Sequence, residues 1–158
     1  MRPSSGRTST LSRTRIRHRV PEIRPGDGLL DTSVVIDPSG SACLPNEASI
    51  SALTLAELAA GPHATTDAAE RGRRQQQLQI VEATFDPLPF DARCARAYGR
   101  VFAAISKSGR KPRGRRAVDL LIAATAIANE LPLYTRNPDD LRGLDSLLEI
   151  ADAAPVGR

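Results

Sequence analysis

The stretch that decides the fold reads GLLDTSVVID and spans residues 28–37. Gly28 to Asp31 is typical of a short buried strand, and Thr32 to Asp37 is typical of a helix or turn that Pro38 ends. In parallel α/β sheets the ligand crevice lies outside the carboxyl ends of the strands, and Asp31 stands at such an end. Asp31 is therefore the first candidate site residue.

The rest of the chain alternates short apolar strands with helices. The predicted strands lie at 50–53, 131–135 and 147–151, with a brief extended segment at 87–90. The predicted helices cover 55–60, 65–85, 91–108 and 117–129. This alternation predicts an α/β fold in which helices cover both faces of a central, mostly parallel sheet.

Length and composition indicate one globular domain. The chain has 158 residues, of which 41% are apolar, and this is enough to bury a core. Membrane spans and a secretory signal are not expected, so we predict a soluble, cytoplasmic protein. Cys43 and Cys94 lack the spacing of a zinc site or a disulfide framework.

The positive charge is concentrated at the N-terminus. Residues 1–27 hold seven of the 22 basic residues and two of the 18 acidic ones, so the remaining chain carries 15 basic and 16 acidic residues. We predict that 1–27 is a basic, disordered extension, that 28–151 is the folded domain and that 152–158 is a short tail.

A second basic cluster lies inside the domain, just before Asp119. Four of its members are candidates for binding a polyanion through its phosphates: Lys111, Arg113, Arg115 and Arg116. The alternative interpretation is a solvated loop without a ligand.

Acidic or amide side chains recur at the ends of four apolar segments: Asp31, Glu57, Asp119 and Asn137, the last followed by Asp139 and Asp140. Carboxylates from distant segments that converge on a divalent cation would show this pattern, which points to metal-dependent phosphodiester chemistry.

Each of these residues also has a purely structural interpretation. Asp31 could cap the helix that follows it, and Asn137 before a proline could do the same. Thr54 and Glu57 have the spacing of a capping box. Asp119 near a helix start suits the helix dipole, and Arg116 could compensate its charge. Only the combination of the four segments favours a site.

Together the segments resemble the PIN-domain ribonucleases, and most closely the VapC toxins of VapBC toxin–antitoxin modules. The motifs that carry the resemblance are LLDTSVVID at 29–37, LAEL at 55–58, DLLIAA at 119–124, and PLYTRN at 132–137 followed by Asp140. The resemblance spans about residues 28 to 151 and implies a PIN-like three-layer α/β/α fold.

For the site, the resemblance implies that Asp31, Glu57 and Asp119 coordinate Mg²⁺ or Mn²⁺. A fourth position, often acidic in relatives, falls on Asn137, so Asp140 or Asp139 would supply the missing charge. Thr135 or Asn137 would orient a metal-bound water.

For partners, the resemblance implies a homodimer, a VapB-type antitoxin and a single-stranded or looped RNA substrate such as transfer or ribosomal RNA. Aromatic residues make up 3% of the chain, so RNA binding should depend on phosphates rather than stacking. The main alternative is a non-catalytic RNA-binding or regulatory module with this fold. An aspartyl phosphatase is disfavoured because Ser33 occupies the position of its second aspartate.

Overall fold

The computed structural model describes residues 26–39, 41, 43–109 and 114–155. The predicted N-terminal extension, except for its last two residues, lies outside the described residues. The same holds for Lys111 and Arg113 of the second basic cluster.

The described residues form four strands and five α-helices. The strands are β1 (Asp27–Leu30), β2 (Glu47–Ile50), β3 (Leu133–Thr135) and β4 (Ile150–Asp152). The helices are α1 (Thr32–Ile36), α2 (Ala52–Ala60), α3 (Ala68–Thr84), α4 (Ala92–Lys107) and α5 (Arg115–Ala128), and two short 3-10 helices cover Gly61–Ala64 and Pro138–Leu141.

The four strands form one parallel sheet in the order β2-β1-β3-β4. Leu29 of β1 is in register with Leu133 of β3, and the Asp31 amide donates to the Tyr134 carbonyl at 2.9 Å. From β1 the chain continues to β2, which lies next to β1 towards one edge of the sheet. It later returns to β3, which lies next to β1 towards the opposite edge. The carboxyl ends of β1 and β3 therefore form the switch point at which such sheets bind ligands.

Helices cover both faces of this sheet, because successive side chains of a strand point to opposite faces. Leu29 packs into a core cluster with Val101 of α4 and Leu120 of α5. Leu30 packs into a second cluster, which includes Leu58 of α2 and Leu78 of α3. The predicted three-layer α/β/α fold with a parallel sheet is confirmed.

The boundary between β2 and α2 lies earlier in the chain than predicted: the helix was expected to begin at residue 55 but begins at Ala52. The Ser51 side chain accepts a hydrogen bond from the Thr54 amide at 3.0 Å and so caps the helix. Thr54 consequently lies inside α2, and β2 ends at Ile50 instead of beginning there. The capping-box interpretation of Thr54 and Glu57 is wrong.

Both cysteines are free thiols, with Cys43 exposed and Cys94 buried. Of the helices described, none combines the length and the apolar character needed to cross a membrane.

Candidate active site

A cleft of about 170 Å³ opens at the switch point between β1 and β3. Its walls come from the residue that follows β1, from α5 and β3, and from the loop and 3-10 helix after β3. The polar residues that line it are Asp31, Arg115, Asp119, Thr135, Asn137 and Asp140. Four of the five predicted catalytic residues therefore face one cleft, although more than 100 positions separate the first from the last.

Asp31 occupies the N-cap position of α1, but its side chain does not cap the helix. It is only 8% exposed, and its Oδ2 accepts hydrogen bonds from Ser33 Oγ at 2.7 Å and from Thr135 Oγ1 at 2.9 Å. No donor among the described residues contacts its other oxygen, Oδ1. The carboxylate is thus held in one orientation with one oxygen left for a ligand.

The two hydroxyl groups that hold Asp31 are themselves held by the backbone. Ser33 Oγ accepts from the Arg136 amide at 3.2 Å, and Thr135 Oγ1 accepts from the Asn137 amide at 3.1 Å. These contacts connect the end of β1 to the loop after β3. Ser33 was not among the predicted site residues; its signal in the sequence is a hydroxyl two positions after a candidate metal-binding aspartate.

Glu57 projects from α2 towards the start of α1. Its Oε2 accepts a hydrogen bond from Thr32 Oγ1, whose residue follows Asp31 directly. Glu57 is half-buried and lies beside the cleft rather than in its lining. The Glu57 side chain is therefore oriented by a hydrogen bond from α1 and does not cap its own helix, α2.

Asp119 shows that the acidic side chains act on one another. It lies in the second turn of α5, and the pKa of its carboxyl group is raised from 3.8 to about 6. Burial is the largest cause, followed by the negative charges of Asp31 and Glu57, with a smaller contribution from Asp140. Four acids from distant segments therefore share one electrostatic environment, in which ionisation of Asp119 is costly.

Arg115 partly offsets the effect of these acids. Its positive charge lowers the pKa of Asp119, whereas burial and the acidic neighbours raise it. Arg116, which the sequence suggested for this role, instead donates from Nε and an NH2 group to the Asp140 carbonyl, at 3.3 and 3.2 Å. The prediction that Arg116 compensates the charge of Asp119 is therefore wrong; Arg115 does so instead.

The fourth predicted position involves residues of the loop after β3. Asn137 stands at the N-cap of the 3-10 helix Pro138–Leu141, but its side chain makes no capping bond. Asp140 also lines the cleft, whereas Asp139 forms an exposed ion pair with Arg142 at 2.7 Å and is not part of the lining. The structure therefore brings Asn137 and Asp140 to the site.

The donor groups fit a hard divalent cation. Carboxylate, hydroxyl and amide oxygens face the cleft, and Mg²⁺ and Mn²⁺ prefer oxygen ligands. Within the described part of the chain, however, no group of three His, Cys, Asp or Glu side chains is arranged so that it could hold a metal ion. The carboxylates interact through their charges, and rotation of side chains would be needed to bring their oxygens around one ion.

Comparisons with known proteins agree with this geometry. The family model of the PIN domain matches residues 28–146. Ribonuclease VapC5 of Mycobacterium tuberculosis is 34% identical over 131 residues, which cover 80% of this chain and 93% of that protein. Ribonuclease VapC8 of the same species is 38% identical over 104 residues, which cover 64% of this chain and 91% of that protein.

A solved structure supports the same relationship. The crystal structure of VapBC-5 from M. tuberculosis, a member of the VapBC family of toxin–antitoxin systems, contains a chain that superposes with a TM-score of 0.68 at 34% identity. The match covers 82% of this chain and 99% of that chain. With its parallel sheet and its acidic cleft at the switch point, the chain belongs to the PIN-domain family and, within it, to the VapC-type ribonucleases.

Proposed function

We propose that this protein is the toxin of a type II toxin–antitoxin module and that it acts as a Mg²⁺- or Mn²⁺-dependent endoribonuclease. The observation that carries the proposal is the cleft at the switch point, where Asp31, Asp119 and Asp140 come together from distant segments. Repulsion from Asp31, Glu57 and Asp140 adds to burial in raising the pKa of Asp119. A divalent cation would relieve this repulsion, which otherwise lowers the stability of the folded protein.

In this proposal Asp31, Glu57 and Asp119 hold the ion, and Asn137 and Asp140 complete the site. The bound ion would activate a water for attack on phosphorus and stabilise charge on the phosphate oxygens. The chain contributes orientation: the hydroxyls of Ser33 and Thr135 fix the Asp31 carboxylate, and that of Thr32 fixes Glu57.

The proposed substrate is single-stranded or looped RNA, such as the loops of transfer or ribosomal RNA. With 3% aromatic residues the chain has few stacking surfaces, so phosphate contacts should dominate binding. Arg115 in the cleft supports this, as do Lys111 and Arg113, which belong to the same basic cluster in the sequence.

We also propose a homodimer and a VapB-type antitoxin that blocks the cleft. Support for the antitoxin comes from the VapBC-5 structure, a member of a toxin–antitoxin family whose chain superposes on this one. The cleft is open and acidic, so a basic side chain of an inhibitor would find carboxylate partners there.

For the domain limits we propose a nuclease domain that begins with β1 at Asp27, which pairs with Glu47 of β2, one residue before the limit expected from the sequence. Residues 1–24 are then an extension that folding does not require. At the other end Ala153 is fully buried and Pro155 pairs with Ser41, so the fold includes residues beyond 151. Truncation before Pro25 should leave folding and antitoxin binding intact; loss of either would contradict this limit.

The test of the proposed activity is cleavage of total cellular RNA by the purified protein with Mg²⁺, Mn²⁺ or chelator. Asp31→Ala and Asp119→Ala should abolish cleavage while the proteins stay folded. Glu82→Gln is the matched control, because it removes an exposed carboxylate on α3 and should leave cleavage unchanged. No cleavage by wild type, together with no Mn²⁺ binding by calorimetry, would favour the non-catalytic RNA-binding module.

A further inference from the structure

Two consecutive arginines open α5, and the structure gives them different surroundings. Arg115 lines the cleft together with Asp119, which follows it by about one helical turn. Arg116 contacts the 3-10 helix Pro138–Leu141 instead. Neighbouring residues of an α-helix point roughly 100° apart around its axis, so the two guanidinium groups do not approach a ligand from the same side.

Arg115 presents a positive charge to the cleft without a fixed partner in the described part of the chain. The residue is exposed, and none of the described residues forms a hydrogen bond or an ion pair with its side chain. A guanidinium group in this position can bind a phosphate through two parallel hydrogen bonds.

Two of the three guanidinium nitrogens of Arg116 already donate to the protein. Its Nε and NH2 groups both donate to the Asp140 carbonyl, at 3.3 and 3.2 Å, and NH2 lies 4.0 Å from the Asp140 carboxylate. The side chain is only 25% exposed, whereas that of Asp140 is 54% exposed. Leu141, the next residue of the same 3-10 helix, is buried in the core. Arg116 thus ties this helix to α5 and holds Asp140 at the cleft.

We propose that Arg115 contacts an RNA phosphate in the cleft, whereas Arg116 contacts no RNA and acts as a positioning residue for Asp140. This division of roles rests on the proposed nuclease function. It separates two residues that the sequence presents as one basic cluster, and it assigns them different effects on RNA binding and on metal binding.

The first measurement is RNA binding by the full chain in chelator, with a short single-stranded RNA of mixed sequence, over a range of salt concentrations. Each phosphate contact to single-stranded nucleic acid contributes about 0.7 to the slope of log affinity against log salt. Arg115→Ala should flatten the slope by about this amount, and Arg115→Lys should retain it. Arg116→Ala should keep the wild-type slope.

The second measurement is Mn²⁺ binding by the same proteins without RNA, followed by calorimetry. Arg116→Ala should weaken Mn²⁺ binding by about tenfold, as is typical when a group that orients a metal-site residue is lost. Arg116→Lys should recover part of this loss, since an ammonium group can still donate to the Asp140 carbonyl. Arg115→Ala should leave Mn²⁺ affinity unchanged or raise it, because it removes a cation from beside the carboxylates.

The matched control is Arg96→Ala, which removes one exposed positive charge from α4. Arg93, one turn before Arg96, donates to the carbonyl of Ala128 at the carboxyl end of α5. Arg96 therefore lies near the end of α5 opposite to Arg115. This variant should change neither the salt slope nor Mn²⁺ affinity.

The division of roles is overturned if Arg116→Ala flattens the salt slope as much as Arg115→Ala does. It is also overturned if Arg115→Ala keeps the wild-type slope, or if Arg116→Ala binds Mn²⁺ as wild type does. A wild-type protein that binds neither RNA nor Mn²⁺ overturns the nuclease proposal and this inference together. Binding of both by wild type, with variants that behave alike, overturns only the division between the two arginines.

Discussion

Replacement of Asp119 by asparagine should stabilise the folded protein at neutral pH while it removes the metal-dependent activity. Asparagine has nearly the same shape but carries no charge, so it avoids burial of a carboxylate among other acids. The pKa of Asp119 is raised from 3.8 to about 6. At about 1.4 kcal/mol for each pKa unit, the ionised side chain costs at most about 3 kcal/mol. Solvent screening in the open cleft reduces this, and we expect a gain of about 1–2 kcal/mol in the free energy of unfolding.

The pH dependence of this gain follows from the direction of the pKa change. Between the ordinary value of 3.8 and the folded-state value of about 6, the folded protein keeps a proton on Asp119 that the unfolded chain has released. The free energy of unfolding of wild type therefore falls as pH rises through this window. The advantage of Asp119→Asn should be absent at the acidic end of the window, grow across it and become constant above it.

Urea unfolding in chelator, at several pH values within and above this window, measures the effect. Glu82→Gln serves as the control for removal of an exposed carboxylate and should match wild type. Added Mn²⁺ should reverse the order of stability, because about a hundredfold excess over Kd stabilises a metal-binding protein by about 2.7 kcal/mol. An Asp119→Asn protein that is no more stable than wild type above the window would refute the reasoning, as would a difference independent of pH.

The contacts of Thr135 and Gly28, and the dependence of RNA binding on phosphates, can each be tested separately. Thr135→Val removes the donor to Asp31 Oδ2 at 2.9 Å and the acceptor for the Asn137 amide at 3.1 Å. It should cost about 1–3 kcal/mol in urea unfolding and weaken Mn²⁺ binding, whereas Thr135→Ser should retain both; equal behaviour of the two variants would contradict this. A Cβ at Gly28 would lie 2.3 Å from a ring carbon of Tyr134, so Gly28→Ala should destabilise the fold by about 1–3 kcal/mol. That cost should shrink in a Tyr134→Ala background, and a cost that stays the same would show that the ring is not its cause. RNA cleavage should weaken steeply with salt, and cleavage that persists unchanged at several hundred millimolar salt would exclude phosphate-dominated binding.

The sequence was informative wherever local pattern decides local structure. The strand and helix of residues 28–37 form as predicted, because a buried apolar run and a proline stop are local signals. The predicted helix 91–108 forms as α4, and Asp91 caps it; the pKa of Asp91 is lowered to about 2, chiefly by the hydrogen bond from the Cys94 amide. Such features need no distant partner, so spacing along the chain is sufficient to find them.

The sequence could not distinguish a helix-capping residue from a site residue where both interpretations require the same spacing. Thr54 and Glu57 satisfy a capping box, but Ser51 caps the helix and Glu57 pairs with Thr32, 25 positions away. A helix cap and a metal ligand require the same residue type at the same place. Their difference lies in what the side chain contacts after the helix has packed.

By itself the sequence determined the order of the elements, the parallel α/β architecture, the candidate acids and, through its motifs, the PIN-domain family. The tertiary structure decided which groups act together. Thr135 donates to Asp31 across 104 positions of the chain. Arg115 faces the cleft while its neighbour Arg116 holds Asp140. The reason is physical: periodicity encodes which side of an element is buried, whereas contacts between distant side chains depend on how the layers pack and on the register of β1 against β3.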